Sequence, residues 1–207
     1  MIKNIIFDMG GVLLGIDIQA CYDEFAALGC PQMNKLIDPY LQSGVFLDLE
    51  EGKISPDEFY RKVKETMCPH ITDRQIDNAL CKMITAPEPY KLDLLGELKA
   101  KGYGVYLLSN TNPIMFPRFR DTYFRSRGLT IDAYFDKLFL SYEMKMVKPD
   151  PRIFAKVIAG TGINPAETLF IDDGAKNTEA GAKAGLQTYL YTIDEDLRAA
   201  MAKYGLI

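Results

Sequence analysis

Three apolar runs in this sequence stop abruptly at a polar side chain: Ile5-Ile6-Phe7 at Asp8, Val105-Tyr106-Leu107-Leu108 at Ser109, and Leu169-Phe170-Ile171 at the pair Asp172-Asp173. Any one of them alone is an ordinary turn or helix cap. If the runs are neighbouring parallel strands, their carboxyl ends line one crevice and these residues converge there. Asp8 and the Asp172-Asp173 pair would repel one another unless a cation sat among them, and hard oxygen ligands favour Mg²⁺. The alternative is a set of helix N-caps, each satisfied locally, but adjacent Asp172 and Asp173 cannot both serve as the cap. Lys148, in Val147-Lys148-Pro149-Asp150-Pro151, is presented from a loop stiffened by two prolines ahead of a helix starting near Pro151. A lysine held beside such a cluster suits an anionic substrate oxygen.

The elements that must position these residues are legible as an alternation. Short apolar, β-branched or aromatic runs occur at Asn4 to Phe7, Val105 to Leu108, Leu138 to Leu140, Leu169 to Ile171 and Thr188 to Tyr191. The last four alternate with helical patterns such as Lys91 to Lys101, Arg152 to Ala159 and Asn177 to Ala184, with Gly102 and Gly185 as C-terminal caps of the first and third. This predicts an α/β fold, a parallel sheet covered by helices on both faces. From about Asp17 to Ala86 the alternation breaks, and the segment reads as several amphipathic helices, most simply a four-helix bundle. Ser55-Pro56-Asp57-Glu58 and Thr72-x-x-Gln75 are capping boxes within it. The expected division is a core of 1–15 and 88–207 with a helical module of 16–87.

Composition excludes several functions. Lys and Arg number 24 against 28 Asp and Glu, for a net charge of −4, so there is no basic excess to grip a nucleic-acid backbone. Arg118, Arg120, Arg125 and Arg127 do interleave with Phe116, Phe119, Tyr123 and Phe124, but the aromatics fall at helical spacing and Asp121 pairs with Arg125 at i,i+4. A core face with a solvated back is the simpler reading, with a homodimer contact as an alternative to a monomer. No apolar run is long enough to span a bilayer, and the start of the chain does not read as a secretory signal, so a cytoplasmic location is expected. Cys21, Cys30, Cys68 and Cys81 form no C-x-x-C pair and are expected as buried, reduced thiols. The single histidine, His70, rules out a histidine dyad.

Asp8, Ser109-Asn110, Lys148-Pro149 and Asp172-Asp173 resemble, in order and spacing, the four motifs of the haloacid dehalogenase-like superfamily. FDMGGVLL, LLSNTNP, VKPDPRIF and FIDDGAKN are similar to the branch that includes glucose 1-phosphate phosphatases. The resemblance implies a Rossmann-like sheet in the order 5-4-1-2-3, with a helical cap inserted after the first strand. It also implies hydrolysis of a small phosphomonoester, such as a sugar phosphate, through an aspartyl phosphate on Asp8. Mg²⁺ would be held by Asp8, the Gly10 carbonyl and Asp173, with Asp172 nearby or bound through water. Ser109, Asn110 and Lys148 would bind the phosphoryl group, and Asn177 would orient Lys148 or the metal shell.

One departure matters. Most phosphatases of the superfamily carry a second aspartate where this chain has Gly10, and that residue protonates the departing alcohol and activates the water. Three compensations are open: an acidic leaving group such as an anomeric hydroxyl, a substitute carboxylate such as Asp17, or weak turnover in a protein that mainly binds a phosphorylated ligand. Asp17 also reads as the N-cap of a helix beginning at Ile18. A phosphomutase would need the missing acid, and a dehalogenase would not need the paired aspartates. The turn Glu50-Glu51-Gly52-Lys53 could overhang the site, with a solvated loop as the default expectation.

Overall fold

In the computed structural model, which describes residues 1–35, 37 and 44–207, the chain opens on β1 (Asn4–Phe7), whose Ile5, Ile6 and Phe7 are wholly buried. Successive strand side chains point to opposite faces. Ile6 accordingly joins one apolar cluster, with Phe170 and Phe154, while Ile5 and Phe7 join the other, with Leu107 and Leu169. A strand covered on both faces has no solvated side to show, which is why the run is continuously apolar.

The chain then passes through a short β2 (Gly15–Ile16) into α1 (Ile18–Ala27), α2 (Gly44–Glu50), α3 (Pro56–Thr66) and α4 (Asp73–Cys81), and returns by β3 (Ile84–Thr85), antiparallel to β2. Among the described residues this stretch adds no strand to the main sheet. The Thr72–Gln75 capping box forms in both directions. At Ser55 the hydroxyl accepts from the Glu58 backbone N–H at 3.2 Å, but the Glu58 carboxylate pairs with Lys62 one turn on. Asp17 caps α1, its carboxylate accepting from the Ala20 N–H at 2.9 Å, and it faces solvent.

The remaining elements alternate: α5 (Pro89–Ala100), β4 (Gly104–Ser109), α6 (Met115–Tyr123), β5 (Lys137–Leu140), α7 (Ser141–Met144), α8 (Pro151–Thr161), β6 (Thr168–Asp172), α9 (Ala175–Lys183), β7 (Gln187–Leu190) and α10 (Leu197–Ala202). The sheet runs β5-β4-β1-β6-β7, all parallel. Counted within these five strands the order is 3-2-1-4-5, the expected order read from the other edge. Ile153, Phe154 and Val157 of α8 pack on one face, and Leu94 and Leu95 of α5 with Leu197 of α10 on the other. Phe7 lies beside Leu107 on β4 and Ile171 on β6, so the residues after these three strands meet at one edge where the connections diverge.

Phe116 and Phe119 are buried, while Arg118 donates to Asn78 on α4 at 2.8 Å and Arg125 pairs with Asp121 at 3.6 Å. Of the cysteines, Cys21 and Cys81 are free, but Cys30 and Cys68 form a disulfide with their Cα atoms 5.8 Å apart, correcting the expectation of four reduced thiols. The two are 38 residues apart in sequence, so their meeting depends on how the loop after α1 packs on the end of α3. No helix among the described residues is long and apolar enough to cross a membrane.

Candidate active site

Asp8 follows β1 directly and is anchored by its own backbone, its N–H donating to the Ile171 carbonyl at 2.9 Å. That bond places it beside Asp172 at the end of β6. One oxygen each of Asp8, Asp172 and Asp173 lies within 4.8 Å of the others. The Lys148 ammonium, with its side chain 1% exposed, donates to Asp8 Oδ1 at 2.9 Å and to Asp172 Oδ2 at 2.6 Å. Residues from three separate motifs therefore share one buried charge cluster.

The supports of this cluster are specific. Asp172 Oδ1 accepts from the Gly174 N–H at 2.8 Å and from Asn177 Nδ2 at 2.9 Å, so both its oxygens are engaged by the chain. Asn177 thus orients Lys148 through Asp172. Asn110 clamps the lysine's main chain from the other side, with Oδ1 accepting from the Lys148 N–H at 2.8 Å and Nδ2 donating to the Lys148 carbonyl at 3.0 Å. Ser109 is 1% exposed, its hydroxyl donating to the Asn110 carbonyl at 3.3 Å, and it is not among the residues lining the cavity. Thr111 and Asn112, buried residues within the LLSNTNP stretch that were not singled out, line it as well, because the loop after β4 turns them to the cavity. Gly11 adopts φ +78°, and a Cβ there would lie 2.2 Å from Asp173 Oδ2, so only glycine lets the carboxylate close over the loop.

Electrostatics follow from burial. Removal from water pushes the Asp8 carboxyl above its usual range, opposed by Lys148 and reinforced by Asp172 and Asp173. Burial and Asp172 likewise push Asp173 up. Burial pulls the Lys148 ammonium down, but Asp172 and Asp8 outweigh it and hold the lysine charged. Three carboxylates against one ammonium leave a negative excess that a divalent cation would neutralise. The donor set of Asp8, Asp173 and the Gly10 main chain fits Mg²⁺. Gly10 itself has room: a Cβ there would meet only Ile16 at 3.4 Å and Ile84 at 3.8 Å.

Above the cluster lies a cavity of about 660 Å³. Its floor is Asp8, Lys148 and Asp173; Ile16 and Ile84 of the connecting strands, Met115 and Phe119 of α6, and Phe46, Leu47 and Glu50 of α2 form its walls. Glu50, expected at a solvated turn, is only 4% exposed. The turn after it is pinned to the core, since Lys145 donates to the Gly52 carbonyl at 2.7 Å and a Cβ on Gly52 (φ +58°) would stand 2.2 Å from the Tyr142 carbonyl oxygen.

Comparisons with known proteins agree with this geometry. Residues 2–185 match the model of a haloacid dehalogenase-like hydrolase family. A D-ribitol-5-phosphate phosphatase of Bacteroides thetaiotaomicron is 39% identical over 189 residues, 91% of each chain. A sesquiterpene phosphatase of Aspergillus oryzae is 28% identical over 89% of this chain and 87% of its own. Among solved structures, an aspartate-to-alanine variant of a Bacteroides thetaiotaomicron enzyme of that family, in complex with magnesium and inorganic phosphate, superposes with a TM-score of 0.94 at 38% identity, covering 97% of this chain and 99% of that one. A predicted hydrolase of the same kind from Porphyromonas gingivalis gives 0.91 at 35% identity, covering 99% and 98%.

Proposed function

The chain belongs to the haloacid dehalogenase-like hydrolases and is a phosphomonoester hydrolase, and within that class we propose that it is Mg²⁺-dependent and acts on a small sugar or polyol phosphate through Asp8. The observation that carries this reading is the Asp8 carboxylate at the cavity floor, with Lys148 Nζ 2.9 Å from it and Asp173 in the same cluster. The similarity to a ribitol 5-phosphate phosphatase favours a polyol or sugar phosphate as a class, with glucose 1-phosphate as one member to be tested.

In this reading a phosphomonoester enters with its phosphoryl group against the floor and its alcohol toward α2. Asp8 attacks phosphorus opposite the leaving oxygen, and water later releases phosphate from the aspartyl phosphate. Lys148 holds a phosphoryl oxygen and meets the charge that develops on it. Asp172, Asn177 and Asn110 keep that ammonium in place. Ser109, buried at the end of β4, donates to the carbonyl of Asn110, the residue that clamps Lys148. Asp8, the Gly10 carbonyl and Asp173 would hold Mg²⁺, with Asp172 behind them; the bound ion supplies charge neutralisation that lets an anionic carboxylate approach an anionic ester. Residues 16–87 act as a cap that selects the alcohol and excludes water, over a core of 1–15 and 88–207.

A panel of phosphate esters that includes ribitol 5-phosphate and glucose 1-phosphate, assayed with Mg²⁺, tests the proposal. Turnover that disappears in Asp8→Asn and on chelation is expected. Equal rates for wild type and Asp8→Asn on every ester would overturn it.

A further inference from the structure

We propose that Glu50, carried by the cap, is the acid and base that Gly10 does not supply. The inference rests on the phosphatase reading and extends it to the proton transfers. Three carboxyl groups line the cavity among the described residues: Asp8, Asp173 and Glu50. Asp8 is engaged as nucleophile and Asp173 as metal ligand, and no histidine, tyrosine or cysteine is on the lining. Of the lining lysines, Lys148 is held between Asp8 and Asp172 and Lys176 is exposed, so Glu50 is the remaining buried side chain on the lining that can both give and take a proton. Asp17, the substitute considered from the sequence, is committed to the cap of α1 and exposed.

Three observations give Glu50 that role. Its Oε2 is buried and has no hydrogen-bond partner among the described residues, a costly arrangement unless a ligand completes it. Its position is held from outside the cavity, because the following turn is docked on the core through Gly52, Tyr142 and Lys145. It comes from α2, outside the sheet that carries Asp8, and lines the same cavity as that carboxylate, so an ester lying on Asp8 would have its alcohol within the space Glu50 borders. In support, burial, aided by the charge of Asp8 and opposed by Lys148, pushes the Glu50 carboxyl up to about 8, so it holds its proton at neutral pH.

The steps balance as follows. As an Asp8 oxygen forms its bond to phosphorus, the bond from phosphorus to the alcohol oxygen breaks with its electron pair. That oxygen takes the Glu50 proton and leaves as the alcohol. Water then attacks phosphorus while the Glu50 carboxylate takes its proton; the bond from phosphorus to Asp8 breaks, phosphate leaves, and Glu50 is protonated again.

The test compares wild type with Glu50→Gln by rapid quench, using ribitol 5-phosphate and 4-nitrophenyl phosphate with Mg²⁺. The alkyl ester needs its leaving oxygen protonated and the phenolate does not. Turnover of the alkyl ester is expected to fall by about 10²–10⁴-fold. With the aryl ester, a near wild-type burst of phenolate is expected, followed by slow turnover and an aspartyl phosphate that accumulates on Asp8. Adding Gly10→Asp to the Glu50→Gln chain should restore alkyl turnover at least about tenfold. Thermal melting checks that each variant is folded, and Glu50→Asp, which keeps a shortened carboxyl, should show the same bias in weaker form. A burst of phenolate slowed as much as alkyl-ester cleavage, or no loss on either ester, overturns the assignment while leaving the phosphatase reading intact. A wild type with no Asp8-dependent turnover would remove the phosphatase reading itself.

Discussion

Replacing Lys148 by methionine keeps the length of the stem and removes the only ammonium in the buried cluster. The lysine side chain is 1% exposed and pairs with Asp8 at 2.9 Å and with Asp172 at 2.6 Å, where Asp172 is fully buried. Breaking a buried ion pair by deleting one partner costs about 3–5 kcal/mol, because the other charge is left uncompensated. The cost here should fall at the lower end. Asp172 retains its donors Gly174 and Asn177, and Asp8, already pushed up by burial, can take a proton. About 3 kcal/mol in a chain of this size lowers the melting temperature by roughly 6–12 °C. Turnover should drop further, by about 10²–10³-fold, since a donor to the developing phosphoryl charge is lost. Thermal unfolding in a chelator and then with Mg²⁺ measures the first effect, and the ester panel the second. Mg²⁺ should raise the melting temperature of the variant more than that of wild type, because the cation then neutralises carboxylates that have no lysine. A variant that melts within about 2 °C of wild type in chelator, well below the expected shift, would refute the account of Lys148 as the internal counter-ion of the cluster.

Gly11→Ala should destabilise the protein by about 1–3 kcal/mol and weaken Mg²⁺ binding together, since the new Cβ meets Asp173 Oδ2 at φ +78°; melting and metal titration read the two effects. Asn110→Ala removes both bonds to the Lys148 main chain and should cost about 1–3 kcal/mol with a partial loss of kcat, checked by denaturant unfolding and steady-state assay. Glu50 carries a pH signature of its own: its folded value of about 8 stands above the ordinary 4.5, so its contribution to stability is full below about 4.5 and is lost as pH rises through about 8. Glu50→Gln should therefore lose less stability than wild type between about pH 6 and about pH 9 in chelator, as denaturant unfolding at the two pH values would show. Gly52→Ala, which must move the turn off the Tyr142 carbonyl, should reduce alkyl-ester turnover more than aryl-ester turnover.

Much of the core was legible from residues 1–15 and 88–207 read as a string. A strand buried on both faces must be apolar throughout, so Ile5-Ile6-Phe7 and Leu169-Phe170-Ile171 announce themselves, and the polar residue that ends each run marks the sheet edge. Asp8, Lys148 and the Asp172-Asp173 pair could be chosen on that basis, because backbone periodicity dictates where a strand stops. Capping signals at Asp17 and Thr72 worked for the same reason: their partners lie three residues on. Ser109 was equally visible, but the turn of its hydroxyl to the Asn110 carbonyl was not, since a strand end shows only which edge a side chain reaches.

Glu50 and Cys30 were misjudged for the opposite reason. A glutamate beside another glutamate at the end of a helix has the local pattern of a solvated turn, and a cysteine without a near partner has that of a lone thiol. The burial of Glu50 comes from the approach of Lys145 and Tyr142, more than 90 residues away along the chain, and the bond of Cys30 from Cys68, 38 residues on. Propensity and periodicity act over a few residues. Burial, pairing and the direction a side chain faces arise only when distant segments pack, so the nucleophile's edge could be read along the chain, whereas the partner facing it across the cavity could not.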